Sequence, residues 1–290
     1  MRNIAITGSN GFLGSYLKEK LSENHHVVGL SRENLGTVSN PKVVGKEWTR
    51  ALERSPTGID LLINCAAITN TTACELNPKL AHDTNGRLAG ILAKICETQG
   101  IFMIQISTDA VNGHRSSPAT ELSKAKPLSV YGKSKLFGEE LVLANDGSLV
   151  LRVNFFGHNP RGKSVFDYFR AAGNHVTPKI GFTNVSTSSV FIETLARNIE
   201  IIIERDPAKR PKGVLNLGSS DSMSKYEFGR QITDILGLPK PVKGTFVAPF
   251  LEKGQEYNLS MDSGLAERRG FLVPSMTSEI VTALSIWGEH

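Results

Sequence analysis

Cysteine is scarce in this sequence, whose 290 residues include only Cys65, Cys74 and Cys96. The three form no Cys-x-x-Cys pair and stand in apolar or helical contexts, so they indicate neither a disulfide framework nor a zinc site. We therefore expect no metal. A cytoplasmic, reducing compartment fits this use of cysteine.

Long hydrophobic runs are also missing. The most apolar helical stretch, residues 190–203, is interrupted by two glutamates, an arginine and an asparagine, so it cannot span a bilayer. The first three residues lead directly into the strand-like Ile4-Ala5-Ile6, which leaves no room for a signal peptide. We expect no membrane segment and no secretion.

Charge of one sign is not concentrated in any long segment. The 33 basic and 28 acidic residues give a net charge of +5 and are interspersed, apart from a modest cluster at Lys209-Arg210-Pro211-Lys212. No aromatic residues alternate with that cluster, which argues against a nucleic-acid partner. Hydrophobic residues at 40% and charged residues at 21% are ordinary values for a globular protein.

Strand-like and helix-like segments alternate through the first half of the chain, which is typical of βαβ units and a parallel sheet. The segments are 3–7, 12–23, 26–30, 59–65, 80–99, 102–107, 134–144 and 149–153. The strands near 59–65 and 101–107 are almost continuous apolar runs, as expected when helices cover both faces of a sheet. The predicted fold class is α/β, a doubly wound parallel (Rossmann) sheet with a smaller C-terminal lobe.

The texture of the sequence changes after Val153, where a run of turn formers, residues 155–162, precedes a new helical pattern. A long helical segment and a buried strand follow later. We therefore predict two parts: a dinucleotide-binding core of residues 1–152, to which 186–217 return, and a substrate-binding lobe of 153–185 and 218–290.

A glycine-rich loop follows the first strand at once, with the spacing Thr-Gly-x-x-Gly-x-x-Gly, and leads into a helix. The first glycine lets the chain turn, the second lets the backbone approach a pyrophosphate, and the third allows close packing of helix and strand. The N–H groups at the start of the helix face the anion. We predict dinucleotide binding by Gly8, Asn10, Gly11, Phe12, Leu13 and Gly14.

The end of the second strand bears on the choice of cofactor. An NAD-specific site usually offers a carboxylate there to the ribose 2′-hydroxyl, but this chain has Ser31-Arg32. Arg32 can pair with a 2′-phosphate, although Glu33 is adjacent. NADP(H) is therefore the favoured cofactor, and NAD(H) stays possible.

Tyr131 and Lys135 are four residues apart at the predicted start of a helix, so they share one face. A phenol with a pKa near 10 is a poor acid–base catalyst at neutral pH, and a neighbouring ammonium stabilises its phenolate. Ser107 and Thr108 stand at the carboxyl end of a core strand, the edge where open α/β sheets build their sites. These residues are the catalytic candidates.

Taken together, these motifs resemble the extended short-chain dehydrogenase/reductase family, and within it the dTDP-4-dehydrorhamnose reductase-like branch. The resemblance covers nearly the whole chain. Besides the glycine loop it rests on Asn64-Cys65-Ala66-Ala67, Ser107-Thr108-Asp109, Pro127-Leu128-Ser129-Val130-Tyr131-Gly132-Lys133-Ser134-Lys135, Gly138-Glu139 and Leu151-Arg152.

The resemblance implies a role for each matching residue. Tyr131 is the general acid that gives a proton to a ketone oxygen while the nicotinamide delivers hydride. Lys135 lowers the pKa of Tyr131 and holds the nicotinamide ribose. Thr108 hydrogen-bonds the substrate carbonyl, with Ser107 as the alternative hydroxyl.

The resemblance also extends the cofactor site. Asn85 matches an asparagine on the cofactor side, and Ala66 and Ala67 line the cofactor channel with their backbone. Tyr131 and Lys135 contact the cofactor as well.

Two departures from the family pattern concern the substrate. The reductases usually read Ser-Thr-Asp-Tyr-Val-Phe, whereas this chain has Ala110 in place of the tyrosine and a shortened Val111-Asn112-Gly113. Near the C-terminus, Gln255-Glu256 stands where the family often carries Arg-Pro. These changes leave the cofactor chemistry intact and put rhamnose synthesis itself in doubt.

The expected function is reduction of a nucleotide-linked 4-keto-6-deoxysugar, with the nucleotide held by the C-terminal lobe and Arg161, Lys163 and Lys179 as candidate anchors. Two alternatives stay open. One is a sugar-nucleotide epimerase, which an acidic residue after the second strand would have favoured. The other is a non-catalytic, NADP-binding regulatory subunit. A homodimer through helices near 85–99 and 133–145 is the family expectation.

Overall fold

The computed structural model describes residues 1–31, 43–44, 46, 50–51, 58–174, 178–238, 242–246 and 256–288. Arg32, on which the preference for NADP(H) rests, and Gln255 lie outside the described residues. Every structural statement below concerns the described part of the chain.

Thirteen strands lie within the described residues. In chain order they are β1 (Asn3–Thr7), β2 (His26–Leu30), β3 (Leu61–Asn64), β4 (Phe102–Thr108), β5 (Ser148–Val153), β6 (Phe155–Phe156), β7 (Ile180–Phe182), β8 (Val185–Thr187), β9 (Val190–Phe191), β10 (Gly213–Leu217), β11 (Met223–Ser224), β12 (Lys243–Thr245) and β13 (Tyr257–Asn258).

The helices named here, in chain order, are α1 (Phe12–Leu21), α2 (Thr71–Leu76), α3 (Pro78–His82), α4 (Leu88–Gln99), α5 (Val130–Leu143), α6 (Val165–Arg170), α7 (Ile192–Glu204), α8 (Lys225–Ile235), α9 (Gly264–Arg268) and α10 (Met276–Trp287). A π-helical turn, Asp83–Arg87, joins α3 to α4, and a 3-10 turn, Asp109–Val111, follows β4. Within the described residues, no helix combines the length and the apolar character that crossing a membrane requires.

The central sheet has six strands in the order β10-β5-β4-β3-β1-β2. The pairs β1–β2, β1–β3 and β3–β4 are parallel, with Thr7 opposite both Leu30 and Asn64. The chain leaves β1 toward β2 on one side and returns with β3 on the other, so the topology reverses at the β1–β3 pair. The prediction of a doubly wound parallel sheet is confirmed, and this reversal is where such folds bind ligands.

The apolar face of α4 packs against the central sheet. Its buried positions recur at intervals of one, three and four residues, which places them on a single stripe. That stripe packs against small and branched side chains of the sheet. The packed residues are Leu88, Ala89, Leu92, Ala93 and Cys96 of the helix with Ala5, Leu62, Met103 and Val150 of the strands.

The chain divides into two compact units. Unit 1 consists of residues 1–111, 127–152 and 199–215, and unit 2 of residues 112–126, 153–198 and 216–290. The segment that returns to unit 1 is thus shorter than 186–217, and 112–126 belongs to unit 2. The assignment of cofactor binding to one part and substrate binding to the other stays a prediction.

Unit 2 is built around an aromatic cluster. The ring of Phe156 lies 4.9 Å from Phe228 in an edge-to-face arrangement, and Phe191 meets Trp287 edge-on at 5.2 Å. Such pairs stabilise a core beyond the area that they bury. Three short strands, β11, β8 and β13, form a separate sheet in this unit.

Candidate active site

The glycine loop lies directly against the end of β3. Gly8 has a φ of +66°, and a Cβ atom on it would lie 2.8 Å from the backbone nitrogen of Ala66. A Cβ atom on Gly14 would lie 2.3 Å from the carbonyl oxygen of Gly8. Both contacts are closer than any side chain allows, so the loop needs glycine at each position. The structure therefore brings together Gly8 and Ala66, and their contact with a cofactor stays a prediction.

The start of α1 suits an anion. Gly11 is the N-cap residue and has no side chain with which to cap the helix, and the first turn contains no acidic residue. The positive end of the helix dipole is therefore not offset by a carboxylate of the helix itself. Asn10, Phe12 and Leu13 lie at this end of α1, where a pyrophosphate fits the cradle formed by Gly8, Gly11 and Gly14.

Tyr131 stands in the first turn of α5. Ser129 caps this helix by accepting the N–H of Gly132 at 3.1 Å, and the Glu75 carboxylate accepts the N–H of Val130 at 2.8 Å. Burial raises the pKa of Tyr131 to about 12, while a hydrogen bond with the Thr108 side chain acts in the opposite direction. The phenol is thus protonated at neutral pH, which suits a proton donor.

Lys135 lies one helical turn after Tyr131 and is 3% exposed. Its ammonium donates to the carbonyl oxygen of Ile106, with Nζ and O 2.6 Å apart. Burial lowers the pKa of Lys135 to about 8, and the Glu139 carboxylate acts in the opposite direction. The expected lowering of the Tyr131 pKa by Lys135 is not seen here, because burial raises that pKa and the opposing effect comes from Thr108.

The two candidate hydroxyls at the end of β4 have different partners. The Thr108 hydroxyl donates to Asp109 at 3.0 Å and lies close enough to the Tyr131 phenol to act on its pKa. The Ser107 hydroxyl instead donates to the Glu139 carboxylate. Of the two hydroxyls, Thr108 is the one that acts on the phenol, and its catalytic role stays a prediction.

This difference gives a matched pair of variants. Thr108→Val is expected to lower kcat on the order of tenfold, the worth of about one hydrogen bond to the reacting carbonyl. Ser107→Ala should leave kcat near that of the wild type, since its hydroxyl contacts Glu139. Steady-state kinetics on both variants check this, and an equal loss in the two would contradict the assignment of Thr108.

A buried ion pair joins α5 to β5 of the central sheet. Arg152 of β5 contacts the Glu139 carboxylate with Nη2 at 2.6 Å and Nε at 3.0 Å, and the side chains are 6% and 2% exposed. The sequence showed these residues as parts of the family pattern, without a role. The sequence signal that could have identified them is that Glu139 and Arg152 carry opposite charges, with Arg152 inside an apolar strand.

Asn85 joins the catalytic helix to the loop after β3. Its Oδ1 accepts the N–H of Ile68 at 2.7 Å, and its Nδ2 donates to the carbonyl oxygen of Ile68 at 3.0 Å and to Ser134 Oγ at 2.9 Å. Asn85 lies in the π-helical turn, within what the sequence predicted as one helix over 80–99. The side chain fixes the segment that contains Ala66 and Ala67; direct contact of Asn85 with a cofactor stays a prediction.

Cys65 follows β3 and is half-buried. Burial raises the pKa of its thiol to about 12, although the charge of Lys135 acts in the opposite direction. A thiol with so high a pKa is a poor nucleophile. The geometry therefore agrees with the interpretation of Cys65 as a small residue at a strand end.

Among the described residues, one group could surround a cation: His25, Glu200 and Glu204. The Nδ1 atom of His25 accepts the N–H of Arg2 at 3.2 Å, so a neutral ring carries its proton on Nε2. That proton occupies the lone pair that a metal needs. The group does not fit a metal site.

The candidate nucleotide anchors lie in unit 2. Arg161 and Lys163 are exposed on the loop that follows β6. The Lys179 ammonium lies 4.5 Å from the centre of the Tyr168 ring, a cation–π contact that gives its charge a partner within the unit. Their role as anchors stays a prediction.

Comparison with known proteins places these features in a family. A family model described as the RmlD substrate binding domain matches residues 1–257. A probable low-salt glycan biosynthesis reductase of Haloferax volcanii is 30% identical over 245 residues, which cover 80% of this chain and 79% of that protein.

Two further matches are a subunit of an adenosyltransferase and a solved structure of a reductase. Methionine adenosyltransferase 2 subunit beta of Rattus norvegicus is 28% identical over 93% of this chain and 83% of its own. The crystal structure of dTDP-4-dehydrorhamnose reductase from Bacillus anthracis, in complex with NADP, superimposes with a TM-score of 0.86 at 21% identity over 98% of both chains. That likeness shows the fold.

Proposed function

Since the chain belongs to the RmlD substrate-binding-domain family, as its motifs predicted, we propose that it is an NADP(H)-dependent oxidoreductase that reduces a nucleotide-linked 4-keto-6-deoxysugar. The observation that carries the proposal is the arrangement within unit 1 of Tyr131, Thr108 and Lys135. The threonine hydroxyl is near enough to the phenol to act on its pKa, and the lysine lies one helical turn after the tyrosine in α5. The 30% identity with a probable low-salt glycan biosynthesis reductase of Haloferax volcanii supports the assignment as a reductase.

The proposed chemistry assigns a task to each side chain. The cofactor supplies hydride to the carbonyl carbon when it is bound. Tyr131 donates its phenolic proton to the carbonyl oxygen. The Thr108 hydroxyl, whose single proton goes to Asp109 in the structure, turns to donate it to the same carbonyl oxygen when the substrate binds. Lys135 holds the nicotinamide ribose and stabilises the phenolate that remains after proton transfer.

The proposed cofactor site is formed by the glycine loop and the segment behind it. Gly8, Gly11 and Gly14 provide the cradle that a Cβ atom would fill, and the end of α1 receives the pyrophosphate. Ala66 and Ala67 line the channel. NADP(H) is favoured because no acidic residue follows β2 directly and Arg32 stands there, and NAD(H) stays possible.

The proposal places the nucleotide of the substrate on unit 2, with Arg161, Lys163 and Lys179 as candidate anchors. It also includes a cytoplasmic location, in line with the small number of cysteines, and a homodimer as in the family expectation.

Kinetics with matched substrates test the substrate class. A panel of nucleoside-diphosphate 4-keto-6-deoxysugars is offered with NADPH, and each product is identified by mass. The corresponding free ketosugar is expected to lose at least about tenfold in kcat/KM and also in kcat, because binding energy from the nucleotide orients the ketone. Equal kcat/KM for the free and the nucleotide-linked ketosugar would contradict the proposal that the protein recognises the nucleotide.

A second candidate is a non-catalytic subunit that binds NADP and acts through a partner enzyme. The observation in its favour is the 28% identity with an adenosyltransferase subunit over 93% of this chain. Tyr131, Thr108 and Lys135 are present together here, which favours the enzyme. NADPH binding with no turnover of any substrate in the panel would favour the subunit.

A further inference from the structure

A chain of buried side chains crosses the carboxyl ends of three neighbouring strands. The Thr7 hydroxyl at the end of β1 donates to Asn64 Oδ1 at the end of β3. Asn64 Nδ2 then donates to Gln105 Oε1 in β4, at 2.6 Å. None of the three residues is more than 1% exposed, so these bonds are not shared with solvent.

The chain of hydrogen bonds ends at the carbonyl oxygen of Ile106, to which Lys135 also donates. Gln105 Nε2 donates to the carbonyl oxygen of Ile106 at 2.8 Å, and Lys135 Nζ donates to the same oxygen at 2.6 Å. A carbonyl oxygen has two lone pairs, so these two donors fill it. The position of the ammonium is therefore coupled to the side chain of Gln105.

Glutamine is the residue type that this place requires. Its side chain accepts from Asn64 with one atom and donates to Ile106 with the other, and the Thr7 hydroxyl fixes which way the Asn64 amide faces. Glutamate of the same length offers only acceptors when ionised, and methionine offers no strong donor or acceptor. A buried polar chain of this kind rigidifies a site when every member is satisfied.

We infer that Gln105 is a positioning residue for Lys135. Through the Ile106 carbonyl, it holds the ammonium at a fixed position relative to the glycine loop, which begins directly after Thr7. The inference rests on the proposed function, because it takes Lys135 as the residue that meets the nicotinamide ribose. Gln105 itself touches neither the substrate nor the cofactor.

The test measures NADPH affinity against pH in the full-length protein. In the wild type, affinity is expected to weaken as the pH rises through about 8, where Lys135 loses its charge. Gln105→Met should raise the Kd for NADPH at pH 7 about three- to tenfold, the range for one hydrogen bond. Gln105→Glu places a carboxylate near the ammonium, so the weakening should move to a higher pH.

The control is Ile104→Val, a change in the same strand at a residue that is fully buried and apolar. It removes one methyl group and lowers stability, without altering the polar chain. Its Kd and its pH profile should match those of the wild type. The comparison separates a loss of packing in β4 from a loss of the position of Lys135.

The outcomes are distinct. Folded Gln105→Met and Gln105→Glu proteins with the Kd and pH profile of the wild type would overturn the inference. If neither variant folds while Ile104→Val does, Gln105 serves the fold alone, which overturns it as well. A wild-type protein that binds NADPH with this pH dependence but reduces no sugar nucleotide would refute the proposed function and leave the role of Gln105 standing.

Discussion

Tyr131→Phe is expected to lower kcat by about a hundredfold or more and to leave the Kd for NADPH nearly unchanged. The substitution removes the phenolic oxygen and keeps the ring. Because the pKa of Tyr131 lies near 12, the wild-type residue holds its proton over the whole range in which enzymes are assayed. The variant has no phenolic proton to give to the carbonyl oxygen.

Two measurements make this result specific. Titration with NADPH shows that the cofactor site is intact, and urea denaturation shows that the variant is folded. The loss of kcat expected for Thr108→Val is smaller. Comparison of the two variants therefore shows which of the two hydroxyl groups contributes more to turnover. A Tyr131→Phe protein that turns over as fast as the wild type would require a different proton donor.

Arg152→Met is expected to lower the free energy of unfolding by about 3–5 kcal/mol, the usual cost of leaving one member of a buried ion pair alone. The Glu139 carboxylate is 2% exposed and would lose its charged partner at 2.6 Å. The Ser107 hydroxyl, which also contacts it, carries no charge, and the Lys135 ammonium acts on it only through longer-range electrostatics. Urea denaturation monitored by fluorescence measures the change, provided that the slope with denaturant stays constant.

Two further variants identify the cause. Glu139→Gln in the Arg152→Met background removes the unpaired charge and should recover at least about half of the loss. Arg87→Met makes the same substitution at an exposed position of the same unit, where Asp83 keeps Lys79 at 2.7 Å; the expected change is within about 0.5 kcal/mol. A double variant no more stable than Arg152→Met would show that shape, and not charge, is what Arg152 provides.

The sequence predicted the framework well because its signals are local. The bounds of β1 and β2 agree with the structure residue by residue, since each is a short apolar run between turn formers. The glycine loop is read in the same way, because position after a strand and spacing of glycines are both visible in one segment. The family could be identified for the same reason.

Other features depend on contacts that no local pattern shows. Gln105 looks like a chance polar residue within an apolar strand, and its partner Asn64 is 41 positions earlier. The pKa of Tyr131 was expected to fall because a lysine follows in the next turn, but its direction is set by burial. The sequence also gave no sign that Ser107 and Thr108, adjacent in the chain, have separate partners.

The π-helical turn at Asp83–Arg87 makes this stretch sensitive to its length more than to its composition. Such a turn holds about one residue more than an α-helical turn, so deleting one residue allows the helix to regularise with little rotation of the flanking segments, while the residues within the turn change their orientation. The Asn85 amide would then turn away from Ile68 and Ser134, which it contacts together. Natural variation here is therefore expected as exchange of residues, with insertions and deletions selected against.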